Sequence, residues 1–211
     1  MEGPPPPSSP GKIGPNAVTQ LVLALRDSGF NGISTSKFTS ANLAAWLTHP
    51  PTVMVDERDV VRLHNIVRAA MPREMADALM TEAGKRTADY LLAHRIPRFV
   101  QFILKHLPTY MAAIILVSAI RHHAWTFAGS GRFKTHSGSP TIFEIIGNPL
   151  CGGGPSTTPA CLWHAAVFLR LFQVLVSPHT SVIETECEAT GCDCCRFIVD
   201  WRPNRRAKLC N

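Results

Sequence analysis

The chain has 211 residues, 45% hydrophobic and 17% charged, with 21 Lys+Arg against 15 Asp+Glu. That length suits one domain with trimmings, and the composition excludes a disordered protein, a coiled coil and a histone-like polycation. The formal net charge of +6 is gathered at the C-terminus, where Arg196, Arg202, Arg205, Arg206 and Lys208 stand against Asp200 alone. Without interleaved aromatics or a recognition helix, residues 202–211 read as a solvated basic tail and not as a nucleic-acid site.

Residues 1–15 hold six of the 17 prolines and predict a disordered leader. No secretory signal is visible, and the longest strongly apolar stretch, residues 110–120, falls short of the ~20 residues that span a bilayer. A cytoplasmic protein with no transmembrane segment is the expectation. Order begins near Asn16, where Val18, Leu21, Val22 and Leu25 form a helical stripe that Gly29 stops. A short helix follows over 40–47. From Asp59, Val60, Leu63, His64 and Val67 share one helical face. Pro72 opens a longer helix over 73–94, with Met75, Leu79, Ala83 and Tyr90 near one stripe and Glu82 spaced to pair with Arg86. Pro97 and Pro108 open two more, over 97–106 and 108–121, the second reading as buried.

The pattern then changes. The aromatic-rich run 122–128, closed by Gly129-Ser130-Gly131, predicts a strand, and further strands are expected over 132–136 and 140–147. A Gly/Pro/Ser/Thr-rich loop over 151–159 leads into 161–176, which is apolar on nearly every face and therefore a core helix. Two strands, 180–188 and 194–201, follow. Helices first, then an antiparallel sheet with one buried helix among its strands, make the fold class α+β.

Seven cysteines in a chain with no export signal point to free thiols or metal ligands. In Cys187-Glu-Ala-Thr-Gly191-Cys192-Asp-Cys194-Cys195, a glycine-containing turn brings Cys187 and Cys195 together across a hairpin. Cys161 starts the core helix and Cys151 stands at the mouth of the loop before it. Thiolates gathered at a strand turn and a helix N-terminus suit tetrahedral Zn²⁺, and the helix N-terminus lowers a thiol's pKa. The spacing is not a paired C-x-x-C ribbon, and Cys161 and Cys195 equally fit small buried hydrophobes. Cys192, Cys194 and Cys210 are expected to be exposed.

Strand alternation would place His123, Trp125 and Phe127 on one face, a flat apolar lining from which an imidazole could ligate the metal of a macrocycle. On the core helix His164 and Phe168 share a stripe with Cys161 and Phe172. A hydrogen-bonded core histidine is the plainer reading of both. Gly129-Ser130-Gly131 lacks the third glycine of a dinucleotide fingerprint, the glycine run 152–154 lacks the Lys-Ser/Thr of a phosphate loop, and neither G-x-S-x-G nor H-E-x-x-H occurs. No catalytic residue is assigned.

Several longer segments carry a family resemblance: Ile13-Gly-Pro-Asn16, residues 82–97, residues 123–131, Asn148-Pro-Leu-Cys151 and Trp163-His-Ala-Ala-Val-Phe168. Together they resemble the 4-vinyl reductase domain family in its bacteriochlorophyll-biosynthesis branch, over residues 13 to 201, with one domain spanning 16–201. Cys187, Gly191, Cys195 and Phe197 fit the family's signature of a cysteine, a glycine-containing turn and Cys-x-Phe. The resemblance implies a structural zinc on Cys187, Cys195 and Cys161, with the fourth ligand open between Cys151, His164 and an acid. Cys192 and Cys194 depart from the polar residues usual at that turn, and either could substitute. It also implies an α+β ligand-binding fold similar to that of Golgi-transport tethering subunits, a homodimer and an apolar cavity.

The expected function is then an accessory carrier for a Mg-porphyrin or protochlorophyllide. His123, Trp125, Phe127, His164 and Phe168 would line its site, and Arg98 and Arg132 would meet the propionates. Its partners would be enzymes of the magnesium branch, such as magnesium chelatase and the methyltransferase. The alternatives are the vinyl reductase itself, for which no nicotinamide or flavin site is recognisable, and a zinc-stabilised interaction or sensor module.

Overall fold

Proline and capping chemistry set most helix starts. In the computed structural model, which describes residues 11–30, 41–151 and 154–202, Pro15 precedes α1 (Asn16–Asp27), so Asn16 is the first helical residue and not the cap. Most of the proline-rich leader, most of the basic tail and Cys210 lie outside the described residues. After α2 (Ala41–Trp46), the Asp56 carboxylate accepts the Arg58 N–H and caps α3 (Glu57–Ala70). Pro72, Pro97 and Pro108 each precede a helix: α4 (Arg73–His94), α5 (Arg98–His106) and α6 (Thr109–His122). A two-stranded ribbon of β1 (Lys12–Ile13) and β2 (Val55–Asp56) ties the N-terminus to α3.

The main sheet is antiparallel, in the order β3-β4-β6-β5, built from β3 (Arg132–His136), β4 (Thr141–Ile146), β5 (Ser181–Glu186) and β6 (Cys195–Asp200). Between β4 and β5 the chain makes helix α8 (Leu162–Leu175). Thr141, Phe143 and Ile145 of β4 and Cys195, Phe197 and Val199 of β6 alternate inward, the period of two that one buried sheet face requires. Phe143 pairs directly with Phe197, and both pack on Phe168 of α8 with ring centroids 4.8 and 5.4 Å away. On its other side α8 rests on α4, and α4 on α1. The architecture is α+β, with α8 as the core helix between sheet and helical layer.

Val60, Leu63, His64 and Val67 are all fully buried on α3, and Arg86 bonds Glu82 at 2.8 Å and also reaches Asp27. Three expectations need correction. The inward stripe of α4 runs through Ala76, Leu79, Met80, Ala83, Gly84, Thr87 and Ala88; Leu79 and Ala83 belong to it, whereas Met75 is 48% exposed. Helix α6 buries only one face, through Ala112, Ala113, Leu116, Val117 and Ile120, and leaves Tyr110, Met111, Ile114 and Ile115 exposed.

The third correction concerns residues 122–128, which form no strand. Helix α6 continues to His122, and α7 (Trp125–Ala128) closes on itself through the Ala128 N–H to Ala124 O bond at 2.8 Å. The chain then reverses at Gly129, whose φ of +57° needs glycine. Aromatic content favours strands only where a pleated neighbour receives the side chains; here local helical bonds satisfy the backbone first.

Candidate metal centre

Four elements each deliver one thiol to a single point. Cys151 ends a 3-10 turn (Pro149–Cys151) after β4, Cys161 caps the N-terminus of α8, Cys187 follows β5 and Cys195 begins β6. All four are buried, and their Sγ atoms lie within 4.8 Å of one another. Cys151 and Cys187 are 3.3 Å apart, Cys161 and Cys195 3.3 Å, and Cys161 and Cys187 3.9 Å. Sulfurs of a tetrahedral zinc site, at about 2.3 Å from the metal, stand about 3.8 Å from each other. The donor set suits Zn²⁺, and sulfurs now 3.3 Å to at most 4.8 Å apart would reach tetrahedral spacing by shifts of no more than about an ångström.

The surroundings favour sulfur in its anionic form. The Ala189 N–H donates to Cys151 Sγ at 3.1 Å, the Ala160 N–H to Cys187 Sγ at 3.4 Å, and the Asn148 side-chain amide to Cys161 Sγ at 3.3 Å. Arg68 of α3 is half-buried beside the cluster and donates to the carbonyls of Leu150 at 3.4 Å and Ala160 at 3.2 Å, the residues just before two of the cysteines. Burial pushes the Arg68 pKa down, opposed by Cys161 and Cys151. Hydrogen bonds from the Cys161 and Cys195 thiols drive Cys151 toward the thiolate; donating them pushes Cys161 up. Four thiols at this separation cannot all ionise unless a cation compensates them, a charge that a divalent metal would supply.

Two carboxylates stand beside the cluster. Glu184 Oε2 accepts the Cys161 N–H at 2.8 Å at the mouth of α8, and burial raises its pKa. Glu188 clamps the turn before Cys151 by accepting from Gly147 N and Asn148 N. Neither Glu184, Glu188 nor His164 belongs to the four-sulfur group, whose fourth member is Cys151. Cys194 is only 6% exposed, against expectation, and its thiol points to Glu186; Cys192 is half-buried.

The residues expected to bind a macrocycle divide into two groups. Phe127, His164 and Phe168 do meet: Phe127 lies 6.0 Å from His164 and 5.9 Å from Phe168, centroid to centroid. Phe133, Phe143 and Phe197 fill the space around them. His164 is 1% exposed and neither ring nitrogen has a hydrogen-bond partner; burial lowers its pKa to about 4. His123, Trp125, Arg98 and Arg132 are instead on the surface, with Trp125 59% exposed. An open cleft of about 520 Å³ borders Asn148, Cys151, Ser156 and Glu188, and another of about 370 Å³ lies between α1 and α4. Neither cleft is lined by any of these seven residues.

Sequence reasoning missed Arg68, Asn148, Glu184 and Glu188. Only Asn148 carried a local signal: three residues before Cys151, its Oδ1 accepts the Leu150 N–H in a turn typical of asparagine.

The family model of the 4-vinyl reductase domain matches residues 141–200, which hold all four cysteines. The bacteriochlorophyll synthase 23 kDa chain of Cereibacter sphaeroides is 45% identical over 186 residues, 88% of this chain and 89% of that one. Its counterpart in Rhodobacter capsulatus is 38% identical over 190 residues, 89% and 86%. An Fe(II) unliganded H-NOX protein of K. algicida superposes with a TM-score of 0.59 over 93% of this chain and all of that one, at 11% identity, a likeness of fold alone. Identity of this depth over nearly the whole length places the chain in the bacteriochlorophyll synthase 23 kDa chain (BchJ) family, with a 4-vinyl reductase domain as its C-terminal part.

Proposed function

We propose that the protein is an accessory subunit of bacteriochlorophyll biosynthesis that binds a tetrapyrrole intermediate, a Mg-porphyrin or protochlorophyllide, and presents it to the enzymes of the magnesium branch. The observation that carries this reading is the 45% identity, over 88% of the chain, to a protein named for bacteriochlorophyll synthesis. The physical requirements are a flat apolar contact, an imidazole for the central metal and cations for the propionates. The end of α6, α7 and the start of β3 offer these side by side in the chain: His123, the exposed Trp125 and Arg132. Because Phe127, His164 and Phe168 are already packed with other rings, the macrocycle would rest on this surface and not inside the aromatic core. Each Å² of apolar surface it covers contributes about 25 cal/mol before association costs. A surface seat also makes handover to a second protein direct.

In the same reading Cys151, Cys161, Cys187 and Cys195 hold one structural zinc. A closed shell of four thiolates leaves the metal no open position for substrate, so it would fasten the start of α8 to the ends of β5 and β6. Arg68, Asn148 and the backbone N–H groups would orient and neutralise the sulfurs.

Titration of the purified, reduced protein with magnesium protoporphyrin and divinyl protochlorophyllide, with and without NADPH, tests the carrier. A saturable Soret shift with pigment recovered unchanged supports it. NADPH-dependent loss of the vinyl group would replace it by the reductase, and an unaltered spectrum would leave an interaction module.

A further inference from the structure

Among the described residues, seven of the eleven exposed large apolar side chains fall between positions 99 and 115. On α5, Phe99, Phe102 and Ile103 are 67, 63 and 49% exposed, while Leu104 alone of that helix is fully buried. On α6, Tyr110, Met111, Ile114 and Ile115 are 41 to 56% exposed. Spacings of three and four residues put each set on one outward helical face. Two consecutive helices, joined by Leu107 and Pro108, therefore present apolar faces to solvent beyond what core packing uses.

The charge around them is one-sided. From Tyr90 to Phe143 the sequence has no Asp or Glu but contains Arg95, Arg98, Lys105, Arg121, Arg132 and Lys134. All six cations are exposed, and none takes part in the salt bridges formed among the described residues. Elsewhere most arginines are paired: Arg58, Arg62, Arg73, Arg86, Arg170, Arg196 and Arg202 each have an acid.

We propose that the outward faces of α5 and α6 seat on the surface of an anionic lipid bilayer, with Phe99, Phe102, Ile103, Met111, Ile114 and Ile115 entering the headgroup boundary and the flanking cations meeting lipid phosphates. Exposed aromatic and aliphatic residues beside unpaired Lys and Arg are the chemistry of an interfacial helix. A second copy of this chain fits less well, because a two-fold contact through an acid-free face sets like charges against each other. A protein partner docked by shape would want a groove, and the two clefts described above lie on other elements. No helix is long and apolar enough to cross a membrane among the described residues, so the contact is peripheral. The inference does not depend on pigment binding.

The test is co-sedimentation of the full-length protein with vesicles of phosphatidylcholine, with and without phosphatidylglycerol, at low and high salt. Binding is expected only with phosphatidylglycerol and is lost at high salt. Lys105→Gln and Arg121→Gln should each weaken it about fivefold, the worth of one cation near an anionic surface. Phe102→Ser should weaken it as well. All three positions are exposed, so thermal melting should match the unaltered protein, as should pigment titration for Lys105→Gln and Phe102→Ser. Absence of vesicle binding, equal binding to neutral vesicles, or variants that bind like the parent would overturn the proposal. So would a homodimer in sedimentation velocity that Phe102→Ser dissociates while vesicles are ignored, which would assign the face to a second copy.

Discussion

A methyl group on Gly84 would stand 2.4 Å from the carbonyl oxygen of Trp163 and 2.8 Å from the Cβ of Ala166. Helices α4 and α8 thus approach at a point where only hydrogen fits. Alanine is the better helix former by about 1 kcal/mol, but the contact is backbone, which cannot swing aside. Gly84→Ala should cost about 1–3 kcal/mol of stability, the usual penalty of overpacking, seen as a lower melting temperature. A variant that melts higher would show that the two helices part freely.

The four-thiol cluster predicts about one zinc per chain by elemental analysis of protein purified without chelator. Cys187→Ser and Cys195→Ser should each lose the metal and melt at markedly lower temperature, because binding free energy in such sites is folding free energy. Cys192→Ser should keep full metal, since its sulfur lies outside the cluster.

Arg68 grips the carbonyls of Leu150 and Ala160 and sets a half-buried cation beside the cluster. Arg68→Met keeps the length and apolar stem. It should reduce zinc affinity about 10–100-fold, the usual scale for a residue that orients ligands, in competition with a chromogenic chelator. Unchanged affinity would make Arg68 a packing residue only.

Two buried imidazoles give the protein an acid limit. Burial holds His64 at about 3 and His164 at about 4 in the folded chain, against ~6.5 when unfolded. The unfolded state therefore gains protons as pH drops below about 6.5 while the folded state does not, so stability is complete above that value and is lost toward pH 4. At pH 5.5 each group costs about 1.4 kcal/mol. His164→Phe should fold normally among its aromatic neighbours and shrink the stability difference between pH 7.5 and 5.5 by that amount in urea titrations. An unchanged difference would mean His164 already titrates near its ordinary value.

What the sequence discloses depends on how local the cause is. Prolines 72, 97 and 108 each set a helix start within a residue of expectation, because the pyrrolidine ring acts on its own turn. Alternation along β4 and β6 is likewise a property of five or six residues. The run 122–128 misled because its aromatics suit either a strand or a helical turn, and the decision rests with Gly129 and the reversal after it. Among the site residues, Cys187 and Cys195 were legible from the hairpin and Cys161 from the helix it caps. Cys151 remained one of three possibilities, since only the folded loop brings it 3.3 Å from a residue 36 positions away. Arg68 and Glu184 left no trace in the sequence, as one charged residue on an amphipathic element has no spacing to announce it.

The strand order β3-β4-β6-β5 places the last strand among the described residues inside the sheet, between two made earlier. During synthesis β4 and β5 therefore wait with open edges until residues 195–200 leave the ribosome and slip between them. A chain cut short by even a few codons before that point keeps two unpaired hydrogen-bonding edges and an uncovered aromatic face on α8, the features by which cellular proteases and aggregation select their targets. Closure of this sheet thus waits on β6, and a nonsense mutation near position 190 should remove the product as thoroughly as one near the start.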